Sequence, residues 1–364
     1  MTTFGTATMT PARNPAVDRP ATDAAAARIN VCSIEAGART PASLTRTRDN
    51  GPGRAPGRSH GAGRQESEGK ASMDINRPNV AVVMRSFNDI DVIRGTLQAL
   101  MAQTYTDFEL WNFDSTSTDG TLDVIREFNV PERILLNDSR SYNPGRILNE
   151  AVAATSGRII VFLNSDATPT DDRWLERLIR PFSDPTTGAV FGRQQARTDC
   201  RSLFVKDTER AFGDGTISSK WVHFFSMANS AIRRDLAEQV PFETRIQYSE
   251  DIEWSYRIRR LGKRIVYVPD AAATHSHNYS LAQSWKRHFG EGKAEAWIFR
   301  RGEVGTSLLR YCVAPCAMEI LRDIGWGIRH RSLDAVAHSV PLRTVQKFAR
   351  WRGLRAGRRE HGFA

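Results

Sequence analysis

At 364 residues the chain exceeds the usual size of one domain, and its 40% hydrophobic and 25% charged residues are those of a globular protein with a sizeable core. No apolar run reaches roughly 18 residues, which excludes a membrane-spanning helix, and the start of the chain lacks the apolar stretch of a secretory signal. The formal charge of +10 divides into +4 over 1–72, −3 over 73–284 and +9 over 285–364. This is unlike a folded nucleic-acid-binding face, so no nucleic-acid partner is expected.

Four scattered cysteines (Cys32, Cys200, Cys312 and Cys316) do not make a disulfide scaffold, and a cytoplasmic location is the expectation. Residues 1–75 are expected to be a disordered extension, or one created by an early start assignment, since Met73 offers a natural start. From Val80 the pattern changes. Val80–Met84 reads as a buried strand, and 89–103 as a helix with Ile93, Leu97, Leu100 and Met101 at helical spacing. Strands follow at 108–113, 133–136, 158–164 and 188–192, and helices at 119–128, 145–154 and 172–182. This alternation predicts an α/β fold, a mostly parallel sheet covered by helices on both faces. Ligands of such sheets bind beyond the carboxyl ends of the strands. That draws attention to Arg85-Ser86-Phe87-Asn88, Asp114-Ser115-Thr116, Asn164-Ser165-Asp166 and Arg193-Gln194. None of these turns is a GxGxxG or GxxxxGK[ST] motif, which removes the dehydrogenase and P-loop readings.

Three acidic constellations carry the chemistry. Asp114, in FDSTSTDGT, suits either a nucleotide contact or a helix cap. Asp166, in VFLNSDATP, sits where a carboxylate can hold a divalent cation, or merely start a turn. Glu250-Asp251 open an amphipathic helix, where an acid either complements the helix dipole or serves as a general base. Beyond the next strand come His275 and His277; at this spacing on an extended segment at most one is expected to face a site. Residues 281–364 read as a helical region with a basic end, VQKFARWRGLRAGRRE, carrying Phe348, Trp351 and Leu354. That end suits an anionic membrane surface, and equally a helix packed on the catalytic domain or on a second copy in a homo-oligomer.

VAVVMRSFNDIDVIRGTLQALMAQTYTDFELWNFDSTSTDGTLDVI resembles the opening of a family 2 glycosyltransferase with the GT-A fold. LNSDATP resembles that family's metal-binding DxD region, with Asn164 in the first acidic position, and SEDIEWSYRIRRLGKRIVYVPDA resembles its catalytic helix. More narrowly, NSDATP, FGRQQAR, FFSMANSAIRRDL, HSHNYSLAQSWKRHFGEG and FARWRGLRAGRRE resemble bacterial rhamnosyltransferases. The resemblance implies a catalytic domain over 76–280 followed by the helical region 281–364. It implies a nucleotide site of Arg85, Ser86, Asn88, Asp114, Arg146 and Ser165, with Mg²⁺ or Mn²⁺ held by Asp166 and His275. Asp251, with Glu250 beside it, would be the general base of an inverting transfer. The donor it implies is a nucleoside-diphosphate sugar, dTDP-L-rhamnose first, and the acceptor a glycan or lipid-linked sugar of a cell-surface polysaccharide. Transfer of another hexose, or a catalytically idle GT-A binding module, are the alternatives. A location at the inner face of the cell membrane follows if the acceptor is lipid-linked.

Overall fold

A computed structural model describes residues 79–221, 223–299 and 306–362. The expectation for 1–75, Met73 and Cys32 included, lies outside the described residues.

The chain begins with β1 (Val80–Ser86), α1 (Ile90–Met101), β2 (Phe108–Asp114), α2 (Thr121–Phe128), β3 (Ile134–Leu136), α3 (Pro144–Ala154) and β4 (Ile159–Asn164). Next come β5 (Thr168–Pro169), α4 (Trp174–Ile179), β6 (Thr187–Gln195), α5 (Ser202–Phe212), β7 (Asn229–Arg233), α6 (Arg234–Gln239), α7 (Glu250–Arg260) and β8 (Arg264–Thr274). Three helices close the order: α8 (Leu281–Ile298), α9 (Ala314–Arg329) and α10 (Leu333–Glu360).

The eight strands form one sheet in the order β3-β2-β1-β4-β7-β6-β8-β5. β3, β2, β1 and β4 are parallel, as the sequence alternation predicts. β7 runs antiparallel between β4 and β6, so the sheet is mixed. Successive residues of the central strands serve opposite layers. Val82, Met84, Val161 and Leu163 pack under α1, α2 and α4, among Ile93, Leu97, Ile125 and Trp174. Val83, Ile160 and Phe162 pack on the other face with Leu148, Phe212, Leu236 and Trp254. Burial on both faces is the reason β1 and β4 are uniformly apolar rather than alternating.

The C-terminal helices pack back onto this unit. α8 and α10 cross so closely that a Cβ on Gly292 would lie 2.1 Å from the Arg350 carbonyl oxygen, and one on Gly353 2.0 Å from that of Phe289. Only glycine permits that approach. Leu354, Ala294 and Trp297 join Ile252 of α7 in a small core. A buried ionic cluster ties α5 to α9 and α10: Lys206 reaches Asp323 at 2.6 Å, Arg343 reaches Asp207 and Asp323 at 2.7 Å each, and Arg210 reaches Glu319 at 2.9 Å. The basic terminal stretch therefore turns Trp351 and Leu354 inward, while Phe348 stays exposed. Of the two cysteines near α9, Cys312 is buried and Cys316 half-buried; both are free.

Candidate active site

The carboxyl ends of β1, β2, β4 and β6 open on the same edge, and Arg85 at the end of β1 is their hub. Arg85 is buried. Its Nη2 donates to Asn164 Oδ1 at 3.0 Å, and its Nη1 lies 3.9 Å from Glu250 Oε1. The next residue, Ser86, donates to Asp114 Oδ2 at 2.7 Å. Two adjacent residues of one strand thus connect the ends of β2 and β4 with the start of α7. A second link runs through the chain before β7: Asn164 N donates to Ala228 O at 3.1 Å, and Met227 N donates to Asp251 Oδ2 at 3.4 Å. Residues far apart in sequence meet here.

Asp114 has no exposed surface and accepts hydrogen bonds from Ser86 Oγ, Ser117 N and Ser117 Oγ, each at 2.7 Å. Neither Asp114 nor Ser117 caps α2, whose N-cap is Gly120 at φ +100°. Asp114 braces the loop after β2. Asn88, at φ +52°, stitches that loop to the first turn, accepting from Thr118 N at 2.9 Å and donating its own N–H to Ser117 Oγ at 2.9 Å.

Two further residues expected at the nucleotide have these partners. Ser165 Oγ donates to Asp89 Oδ2 at 2.6 Å, fastening the exit of β4 to the start of α1. Arg146 is exposed, and its Nη2 donates to Ser141 O at 2.7 Å while Nη1 lies 3.9 Å from Glu150. It makes no hydrogen bond or ion pair with the residues gathered around Arg85.

Asp166, one residue beyond Ser165, is buried with both histidines. His275 Nε2 lies 3.4 Å from Oδ1, and His277 Nδ1 lies 3.7 Å from Oδ2. The expectation that only one histidine faces the site is corrected. Past Thr274 the chain leaves the sheet, so the alternation of an extended strand no longer applies, and the rings stand edge to face at 4.7 Å. Ligand atoms from the three residues all fall within 4.8 Å of one another. His275 Nδ1 donates to Gln194 Oε1 at 2.7 Å, and Gln194 Nε2 donates in turn to Ser226 Oγ at 2.9 Å. Since an amide oxygen can only accept, Nδ1 of His275 carries a proton, and Nε2 is the ring atom turned to Asp166. That Nε2 is buried without a hydrogen-bond partner. Burial alone would raise the Asp166 carboxyl, but His275, His277 and Arg197 outweigh it and hold the group far below the ordinary carboxylate range. A carboxylate and two imidazoles make a donor set that can hold a divalent cation, and Mn²⁺ suits it better than the harder, oxygen-seeking Mg²⁺.

At the start of α7, Glu250 and Asp251 are both buried. Burial raises the Glu250 carboxyl; burial and then the charge of Glu250 raise Asp251 well above its ordinary value. Two adjacent acids in one apolar setting thus hold protons more tightly than exposed ones. Both Glu250 oxygens and Arg85 Nη1 are buried without hydrogen bonds. Tyr142, pushed up to about 12 mainly by burial, stands within the fields of Arg85 and Glu250.

The sequence reading did not single out Arg287 of α8. It is buried, donates to Tyr279 Oη at 2.7 Å and to Glu291 at 2.9 Å, and its charge acts on Glu250. With His275, His277 and Tyr279 it lines a cavity of about 40 Å³. Its only sequence signal is a lone arginine in a helix that reads as amphipathic. A larger cleft of about 710 Å³ at the far end of α7, lined by Tyr256, Arg260 and Trp297, contains none of these residues.

A mixed sheet with flanking helices and acids at its carboxyl edge defines a nucleotide-sugar transferase fold of the GT-A type. The profile of glycosyl transferase family 2 matches residues 81–241. The chain is 30% identical over 216 residues to O-antigen chain rhamnosyltransferase WbaN of Salmonella anatum, covering 56% of this chain and 68% of that one. It is 28% identical over 236 residues to O-antigen chain rhamnosyltransferase RfbN of Salmonella typhimurium, covering 61% and 74%. Its fold is similar to that of mannosyltransferase PcManGT from Pyrobaculum calidifontis, solved in complex with GDP-Man and Mn²⁺, at TM-score 0.51 and 20% identity over 79% of this chain and 76% of that one. The chain belongs to glycosyltransferase family 2.

Proposed function

We propose that this protein is an inverting, divalent-metal-dependent transferase that moves L-rhamnose from dTDP-L-rhamnose to a glycan or lipid-linked acceptor of a cell-surface polysaccharide. The reading is carried by one observation: Arg85 ties the strand exit bearing Asp166 to the carboxylate pair of α7. The kinship with two rhamnosyltransferases supports the sugar.

In this reading Asp166, His275 and His277 hold the cation, which when bound offsets the negative charge that develops on the departing diphosphate. Arg85 and Arg287 supply positive charge beside the same group. Ser86 and Asn88 shape the nucleotide end, with Asp114 fixing the loop that receives the base and ribose. Ser165, bonded to Arg85 through its N–H and to Asp89 through its hydroxyl, belongs to the same end, while Arg146 stands apart beside Glu150. Asp251 takes the proton of the acceptor hydroxyl, and Glu250 keeps its pKa high enough for that work. Displacement from the face opposite the leaving group gives inversion.

Asp251→Asn is the direct test. Loss of general-base catalysis lowers transfer by about 10²–10⁴-fold, while titration calorimetry shows nucleotide binding essentially retained. Equal loss of binding and turnover would make Asp251 structural and end the assignment. A thermal-shift panel of nucleotide sugars with Mn²⁺ identifies the donor, and a larger shift with another sugar would replace rhamnose.

A further inference from the structure

We infer that the outward face of α9 docks on an anionic lipid bilayer. α9 and the wide helical turn before it turn Glu319, Asp323 and Cys312 inward. The opposite side shows Leu309, Val313, Leu321 and Ile328 at 65, 48, 71 and 69% exposure, and Leu333 just beyond at 85%. These side chains recur at helical spacing over about 30 Å of axis. An exposed apolar band of that length marks a contact surface rather than scattered surface leucines.

The charge around the band selects the occupant. From Leu308 to Leu333 both acids, Glu319 and Asp323, are buried and neutralised by Lys206, Arg210 and Arg343. Arg310 at one end and Arg329 and Arg331 at the other are exposed. The next acid, Asp334, follows Leu333, with its carboxylate 2.9 Å from His338 Nδ1. The result is an apolar strip with cationic ends and no exposed acid between them. A two-fold contact with a second copy would bring the arginines of one end against those of the other, so the surface is not complementary to itself. Acyl chains under the strip and anionic headgroups at its ends satisfy both features. The terminal stretch is less suited, because Trp351 and Leu354 are spent on the protein interior. The inference stands apart from the transferase reading, since vesicle binding is read without donor or acceptor.

The experiment is co-sedimentation of the full chain with vesicles of phosphatidylcholine, with and without phosphatidylglycerol. Binding is expected only to the anionic vesicles and falls with salt. Substituting Leu321→Asp and Ile328→Asp together weakens it at least about tenfold. Changing Arg310, Arg329 and Arg331 to Gln weakens it by a further large factor, about fivefold for each. Both variants keep the wild-type melting temperature, which separates lost docking from lost folding. Equal binding to neutral vesicles, binding that survives both variants, or no binding at all would overturn the inference. So would a dimer in sedimentation velocity that Leu321→Asp dissolves.

Discussion

Replacing Arg85 by Leu tests the electrostatics at the centre of the site. The guanidinium lies 3.9 Å from the Glu250 carboxylate, and neither group is exposed to more than a few per cent. At an effective dielectric constant of about 20 their attraction is about 4 kcal/mol. Glu250 need not bear that whole loss, because it can take up a proton. Protonating a carboxyl of ordinary pKa 4.5 at pH 7 costs about 3 kcal/mol, and less once burial has raised it. The cheaper route wins, so the charge-dependent part of the destabilisation is at most about 3 kcal/mol at pH 7. Removing Arg85 raises the folded pKa of Glu250 further. The deficit is therefore present above the carboxyl range and disappears as pH falls to where Glu250 is protonated in both proteins. A constant remainder of about 1 kcal/mol reflects the lost hydrogen bond to Asn164. Urea unfolding of both proteins from about pH 8 to about pH 5 measures this. A deficit that stays level, or grows toward acid, refutes the pairing of Arg85 with a buried ionised Glu250.

Other parts of the fold give equally direct expectations. His277→Gln leaves the carboxylate and one imidazole, so Mn²⁺ affinity measured by electron paramagnetic resonance falls about 10–100-fold; unchanged affinity removes His277 from the site. Burial pulls His288 down to about 4, opposed by the charge of Glu291 and assisted by Arg287 and Arg350. A neutral buried imidazole stabilises the fold above its unfolded pKa near 6.5, and that stabilisation, about 3 kcal/mol in full, is lost as pH falls toward 4. His288→Gln should therefore show a shallower fall in unfolding free energy over that window, and parallel curves would contradict it. Gly353→Ala must push α10 off the Phe289 carbonyl and costs at least about 2 kcal/mol. Gly325→Ala, where a Cβ meets nothing within 4 Å, gains up to about 1 kcal/mol in the same helical region.

The parallel half of the sheet was legible because β1 and β4 are buried on both faces and read as unbroken apolar runs. β7 was not. Asn229-Ser230-Ala231-Ile232-Arg233 is short and polar, and its place between β4 and β6 depends on long-range pairing that no local pattern carries. The acids at 166 and 251 stood out because a charge at a strand exit or helix start needs a reason. Where the Ser165 hydroxyl turns was not legible, because its position beside Asp166 says nothing of that and Asp89 decides it. The two histidines were misjudged by carrying strand alternation past the end of β8. Arg287 was silent because its neighbours Tyr279 and Glu291 become significant only once α8 lies beside Asp166, His275 and His277.

The ionic cluster between α5 and the last two helices sets a lower limit on how far the protein can be shortened. A chain cut ahead of Arg343 would leave Asp207 without its bidentate partner, and one cut ahead of α9 would take Asp323 from Lys206 and Glu319 from Arg210. Trimming at residue 280, where the strands end, would also peel away Arg287 and bare the outer side of α7 around Ile252. The shortest chain that keeps these contacts therefore extends well beyond the sheet.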